Sequence, residues 1–203
     1  MKKKFVDPNI ENKSKTVEEK IQLFKFNGKM LPLPTEIEIS ESGTCNRTCS
    51  FCPRSAKDFV DKKEFISNFL HQKLCNELKG LKYKGTIRYS GFVEPLIDKN
   101  IFNLINMTRT HLPESNIELV TNGDPLNLKK LNKLFENGLN KILISAYDDE
   151  ENAIKLENLC IDAKLKKNQF IVRHRYYSKD KDFGITLSNR AGLMENAEFK
   201  IKS

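Results

Sequence analysis

Short apolar segments alternate with amphipathic ones along this chain, and that alternation constrains its fold more than any other feature. Glu36-Ile37-Glu38-Ile39 has the two-residue period of a strand. Residues 85–90, 117–120, 142–145 and 169–173 are further short strand-like runs. Helical patterns lie between them. In the first, Ile66, Leu70, Leu74 and Leu78 recur at a spacing of four, Phe65 and Phe69 widen the stripe, and Gly80 stands where a C-terminal cap is expected. The second runs over 98–111 and is stopped by Leu112-Pro113; the third runs over 128–137 and ends at Gly138. The fourth starts behind Asp148-Asp149-Glu150-Glu151, acid that suits the positive end of a helix dipole. Strands separated by such helices imply βαβ crossovers and a parallel sheet. Four units and a last strand are too few for a closed eight-stranded barrel, which takes about 250 residues. The expected architecture is therefore α/β: a partial, open (β/α) barrel of about five to six parallel strands, any sixth coming from 179–203.

Residues 1–33 are polar, broken by Pro8 and Pro32, and read as an N-terminal extension with a short helix over 17–26; residues 34–203 form the core domain. With 203 residues, 38% hydrophobic and 31% charged, one ordinary core is expected. The apolar runs are only a few residues long, far short of the roughly 18 to 20 of a membrane helix. The basic start, Met1-Lys2-Lys3-Lys4, has no apolar stretch behind it, so the cytoplasm is the expected location. The net charge of +8 reads as a solvated lysine surface or as attraction for an anionic partner, and no nucleic-acid recognition motif accompanies it.

Chemistry enters with Cys45, Cys49 and Cys52, spaced C-x3-C-x2-C directly after the first strand. In parallel α/β folds that is the edge where ligands gather. Three clustered thiolates select a soft metal. A structural zinc or a closed 4Fe-4S cluster takes four protein ligands, so three leave one metal position open to chemistry. The alternative is a zinc site completed by His71 or Cys75, one helical turn apart. Cys75 and Cys160 otherwise read as small buried hydrophobes.

This loop, with aromatic Phe51 before its third cysteine, resembles the signature of the radical S-adenosylmethionine (radical SAM) superfamily. Ser90-Gly91-Phe92-Val93-Glu94-Pro95-Leu96 is similar to that family's glycine-glutamate-proline motif, and residues 187–192 resemble a segment found ahead of C-terminal SPASM extensions. The likeness covers most of 31–192. It implies a 4Fe-4S cluster on Cys45, Cys49 and Cys52, SAM on the open iron, and a flavodoxin- or ferredoxin-type electron donor. It also implies a 5′-deoxyadenosyl radical that takes hydrogen from an organic substrate such as a peptide, sugar or cofactor precursor. On the same ground Phe51, Gly91, Glu94, Asn122, Ser145 and Arg173 are the expected cofactor-binding residues, with Arg175 competing for the role of Arg173, while Asn189 and Arg190 form a substrate-side wall or a loop anchor. His174 is expected to point away. A full family core has six βα units, and no cysteine follows Cys160. The chain is thus a compact enzyme, a fragment of a larger one, a non-catalytic iron–sulfur module, or one half of a barrel completed by a partner.

Overall fold

The computed structural model describes residues 21–176. Residues 187–192, with Asn189 and Arg190, lie outside them, as does any strand within 179–203. The described part opens with a hairpin of β1 (Leu23–Phe26) and β2 (Lys29–Pro32), in which Phe24 faces Leu31 and Phe26 faces Lys29. The expected helix over 17–26 is thus a strand from Leu23 onward. Asn27-Gly28 decides this: both residues have positive φ, 47° and 78°, and Asn-Gly is the preferred pair for a two-residue turn whose twist matches the strands it joins.

Five parallel strands follow in chain order: β3 (Glu36–Ile39), β4 (Thr86–Tyr89), β5 (Asn116–Thr121), β6 (Lys141–Ala146) and β7 (Phe170–His174). The crossovers carry α1 (Asn68–Gly80), α2 (Ile101–His111), α3 (Leu128–Glu136) and α4 (Glu150–Asp162). Each sequence-expected strand and crossover helix is present, with ends shifted by a few residues. Side-chain caps define three of the helix starts: Ser67 accepts from the Leu70 N–H, Asn127 from Lys130 and Asp149 from Asn152. Strand order never reverses, so right-handed crossovers put every helix on one face and leave the other as the interior of an open (β/α) barrel.

The two faces differ in composition. Ile37, Ile39, Ile87, Tyr89, Ile117, Leu119, Ile142 and Ile144 point toward the helices and form one core with Leu104, Ile105, Leu131, Leu134 and Leu156. The alternate residues Glu36, Arg88, Glu118 and Lys141 point inward. Arg88 pairs with Glu36 on one side and with Glu118 at 2.7 Å on the other, and Lys141 reaches Glu118 at 3.8 Å. A chain of alternating charge therefore crosses four strands at the floor of the barrel.

Two details of α1 depart from expectation. Phe69 and Leu70 are exposed, whereas Leu78 is buried and Ile66 and Leu74 pack against the core as their spacing predicts, with His71 and Cys75 sharing that buried face. The polar part of that face is satisfied locally: His71 Nε2 lies 2.8 Å from the Tyr89 hydroxyl, which lies 2.7 Å from Thr108 Oγ1. Burial drives the His71 pKa down to about 4, so the ring is neutral there. Gly80 is the last helical residue rather than the cap, and Lys82 takes the left-handed conformation, φ 52°. Cys75 and Cys160 are buried, as expected.

Candidate functional site

The C-terminal ends of the strands surround a cavity of about 450 Å³. One wall is the loop after β3. Its thiols Cys45, Cys49 and Cys52 are half-buried and line the cavity together with Phe51 and Arg54. A turn bonded from the Cys52 N–H to the Cys49 carbonyl, 2.9 Å, brings the second and third cysteines together. Arg54 then anchors the loop sideways. Its Nη1 donates to the carbonyls of Gly43 (3.1 Å) and Phe92 (3.2 Å), and its Nη2 pairs with Asp61 at 2.7 Å.

The loop after β4 supplies Gly91 and Glu94. Gly91 has φ 127°, a backbone conformation that favours glycine, and a Cβ there would come within 2.1 Å of Ser40 Oγ and displace that hydroxyl. The Glu94 carboxylate is almost fully buried yet lines the cavity. Its Oε1 accepts from Thr121 Oγ1 (2.7 Å) and the Leu96 N–H (3.0 Å), and its Oε2 from the Asn122 N–H (2.7 Å). Burial pushes the carboxyl pKa up, and these three donors pull against it. Oε1 uses both its lone pairs on these partners, whereas Oε2 uses one, so Oε2 retains acceptor capacity on the cavity side.

The ends of β5 and β6 close the opposite wall. The Asn122 Nδ2 donates to Asn46 Oδ1 at 2.7 Å and lies 3.8 Å from Cys45 Sγ. Arg47 reaches two carboxylates: Nε and Nη2 donate to Asp124 at 2.6 and 2.5 Å, and Nη1 and Nη2 donate to Asp148 at 2.7 Å each. Asn46 Nδ2 adds a bond to Asp124, 2.7 Å. The Phe51 and Tyr147 rings lie 5.1 Å apart, with the Arg47 guanidinium 5.9 Å from the Tyr147 ring centre. Bonds from Asp148 and Asp124 push the Arg47 pKa up, and Arg47 in turn pulls Asp148 down. Burial pushes the Cys45 and Cys49 thiols up, and the charge of Arg47 opposes this at Cys49.

Arg173 and Arg175, both on the cavity wall, complete the site from β7 and the residue just beyond it. Arg173 Nη2 donates to Ser145 Oγ at 2.5 Å, its in-register neighbour on β6. Ser145 is buried behind Arg173 rather than on the cavity surface. Of the expected site residues, Cys45, Cys49, Cys52, Phe51, Gly91, Glu94, Asn122 and Arg173 thus share one cavity and Ser145 supports it from behind. His174 turns the other way, to Glu157 at 2.9 Å. His71 and Cys75 sit between α1 and the sheet, away from the cavity, so neither completes a zinc site with the loop. Among the described residues no three of His, Cys, Asp and Glu converge tightly enough to hold a single metal ion. Three half-buried free thiols on one cavity wall are the donor type that holds an iron–sulfur cluster. The sequence reading missed Arg47, Asp124, Asp148 and Tyr147. Asp148 had read only as helix-dipole acid, and its pairing with a residue 101 positions away left no local trace.

No protein-family model matches the chain. It is similar to the S-adenosyl-L-methionine-dependent 2-deoxy-scyllo-inosamine dehydrogenase of Niallia circulans, 28% identical over 160 residues, which are 79% of this chain and 60% of that protein. It is also similar to the GTP 3′,8-cyclase of Mesorhizobium japonicum, 30% identical over 95 residues, 44% of this chain and 28% of that one. The fold matches the crystal structure of BtrN in complex with AdoMet and 2-DOIA, with a TM-score of 0.66 and 28% identity, over 81% of this chain and 63% of that one. An open conformation of BtrN matches with a TM-score of 0.56 and 26% identity, over 73% of this chain and 58% of that one. The chain spans about three fifths of the length of the dehydrogenase and of BtrN in its complex.

Proposed function

We propose that this chain, which belongs to the radical SAM superfamily, holds a 4Fe-4S cluster on Cys45, Cys49 and Cys52 with SAM beside it and uses them to take a hydrogen atom from a small polar substrate. A cluster held by these three cysteines, with SAM beside it, would supply one-electron reductive cleavage of the sulfonium to methionine and a 5′-deoxyadenosyl group able to take hydrogen. The electron comes from a flavodoxin- or ferredoxin-type donor. The observation that carries the reading is the meeting of three thiols from one strand end with Gly91, Glu94, Asn122 and Arg173 from three others around one cavity.

Each residue has work that follows from its surroundings. Glu94 is fixed by three donors and keeps Oε2 as acceptor for the SAM ammonium, a charge-assisted bond. Gly91 lets the backbone approach the methionine moiety. Phe51, against Tyr147, offers an apolar edge to the adenine. Arg173, steadied by Ser145, is a cation for the carboxylate. Further along the wall, Glu38, Ser40, Arg88 and Arg175 give the cavity groups of both charges and hydroxyls. Such a wall favours a hydroxyl- or amine-bearing substrate over an apolar one, and dehydrogenation, the activity in the name of the Niallia circulans enzyme, is the reaction we assign first: one hydrogen atom leaves a carbinol carbon to give 5′-deoxyadenosine, and the remaining ketyl radical would lose its hydroxyl proton to solvent and one electron to the oxidised cluster.

The test is anaerobic reconstitution with iron and sulfide, then reduction in the presence of SAM. Wild-type protein should carry about four irons and yield 5′-deoxyadenosine and methionine in equal amounts. Cys49→Ala should abolish both products, while Cys75→Ala and Cys160→Ala should leave them. Normal cleavage by Cys49→Ala refutes the ligand assignment, and an iron-loaded wild type that yields no 5′-deoxyadenosine refutes the function.

A further inference from the structure

The loop between Cys45 and Cys49 is fastened to the opposite side of the barrel by more charge-assisted bonds than any other loop among the described residues. All five are on the two residues that follow Cys45. Arg47 makes two bonds to Asp124 and two to Asp148, and Asn46 makes one more to Asp124. Asp124 is itself aimed by its N–H, which donates to Asn122 Oδ1 at 3.0 Å. Asp124 follows the end of β5 by three residues and Asp148 follows β6 by two, so a single guanidinium spans the gap between two rigid strand ends. The same residue's N–H donates to Cys45 Sγ at 3.4 Å. Loop, thiol and strand ends are thereby one hydrogen-bonded unit.

Arg47 is poorly explained as a stability device. The carboxylates it holds are partly solvated, 32% and 49% exposed, and ion pairs of that kind contribute little to folding. A planar fork that bonds two carboxylates at once gives geometric definition instead. We infer that Arg47 is a positioning residue: through Asp124 and Asp148 it sets the cysteine loop in its metal-ready shape before any metal arrives. This rests on the proposed cluster site. Supporting partners around metal ligands change metal affinity by roughly 10- to 100-fold when removed, and Arg47 is expected to act in that range. Arg54 holds the far end of the loop against carbonyls of its own side and the β4 loop; it fixes that end, while Arg47 fixes the register against β5 and β6.

The experiment uses the full chain carrying Arg47→Lys, Arg47→Gln or Asp124→Asn. Hydrogen exchange of residues 45–52 is measured in the metal-free protein, and iron loss to a chelator in the reconstituted one; a thermal melt reports the global fold. Lysine keeps the charge and loses the fork, so it separates positioning from simple electrostatics. The expected result is an unchanged melt for Arg47→Lys, exchange at 45–52 at least about 10-fold faster than wild type, and iron lost about 10- to 100-fold faster. Arg47→Gln and Asp124→Asn should behave alike. The inference is overturned if Arg47→Lys matches wild type in exchange while Arg47→Gln does not, because charge alone would then suffice. It is also overturned if residues 45–52 of the metal-free wild type exchange at the unprotected rate. A wild type that holds no iron would refute the cluster site instead, and the exchange arm would still decide the role of Arg47.

Discussion

Glu118 and Glu41 are equally buried, each 1% exposed, yet the two faces of one sheet treat them in opposite ways. Glu118 points into the barrel, where Arg88 and Lys141 compensate its charge and the Asn116 amide donates to it at 2.8 Å. Glu41 follows the cavity residue Ser40 and, by alternation, lies on the helix side, where the Ile66 N–H meets its carbonyl. Its Oε1 accepts from Ser42 Oγ at 3.3 Å, and Oε2 has no hydrogen-bond partner among the described residues. Burial pushes its pKa up to about 8, with Asp98 and Glu94 adding to the rise against bonds that lower it. The inner face therefore keeps charge by pairing it, and the outer face removes charge by retaining the proton. An ion-lined interior and an apolar exterior are what a half-barrel with a polar site needs.

That contrast breaks most visibly at Arg88. Arg88→Met should cost about 3 to 5 kcal/mol in urea unfolding, because buried Glu118 then keeps only Lys141, at 3.8 Å, as a counter-charge. Combining it with Glu118→Leu should bring stability back to within about 1 kcal/mol of wild type, since two buried charges then leave together. If single and double variants are equally destabilised, the inner layer is packing rather than pairing.

Only part of this was legible in the sequence. The alternation Glu36-Ile37-Glu38-Ile39 already separates the two faces, and all five parallel strands and four helices were located by their periods. Arg88 and Glu118 were visible as strand residues but not as partners, because register over 30 positions is fixed by tertiary pairing rather than by local pattern. The face of α1 was misjudged at Phe65, Phe69 and Leu70 for a related reason. Residues 65–78 carry apolar side chains on two overlapping stripes, and only the position of Tyr89 and Thr108 selects the one with His71 and Cys75. The candidate site was better marked, since thiols at fixed spacing and a Gly-x-x-Glu-Pro loop sit at strand ends whatever the register. Arg47 was passed over because a lone arginine says nothing of two carboxylates 77 and 101 residues away.

On the outer face, Glu41 links burial to pH. In the unfolded chain its carboxyl titrates near the ordinary 4.5, and in the fold burial pushes it up to about 8. Below 4.5 both states are protonated and the group has no effect. As pH rises from 4.5 toward 8 the unfolded chain loses the proton first, so folding stability falls across that window. Glu41→Gln removes the titration with little change of shape. It should stabilise the protein by about 1 to 3 kcal/mol at pH 7 and by almost nothing at pH 4.5, read from urea unfolding at both values. A gain that is the same at both pH values would mean that Glu41 is ionised in the fold.

The smallest expected effect lies at the upper end of the inner face and tests whether that face changes character there. At the floor, Arg88 is met by full carboxylates; near the rim, Ser145 offers Arg173 a hydroxyl oxygen at 2.5 Å, an acceptor without charge. The hydroxyl fixes the direction of a guanidinium that lines the cavity, and a fixed direction favours binding a carboxylate there. Ser145→Ala removes the holder and leaves Arg173 in place. Hydrogen bonds to charged groups contribute about 1.5 to 3 kcal/mol, so KM for SAM should rise by roughly tenfold, while iron content stays at the wild-type level. Ser145→Thr, which keeps the hydroxyl, should recover most of the loss. An unchanged KM in Ser145→Ala would remove Arg173 from the SAM site and leave the rim, like the floor, as part of the scaffold.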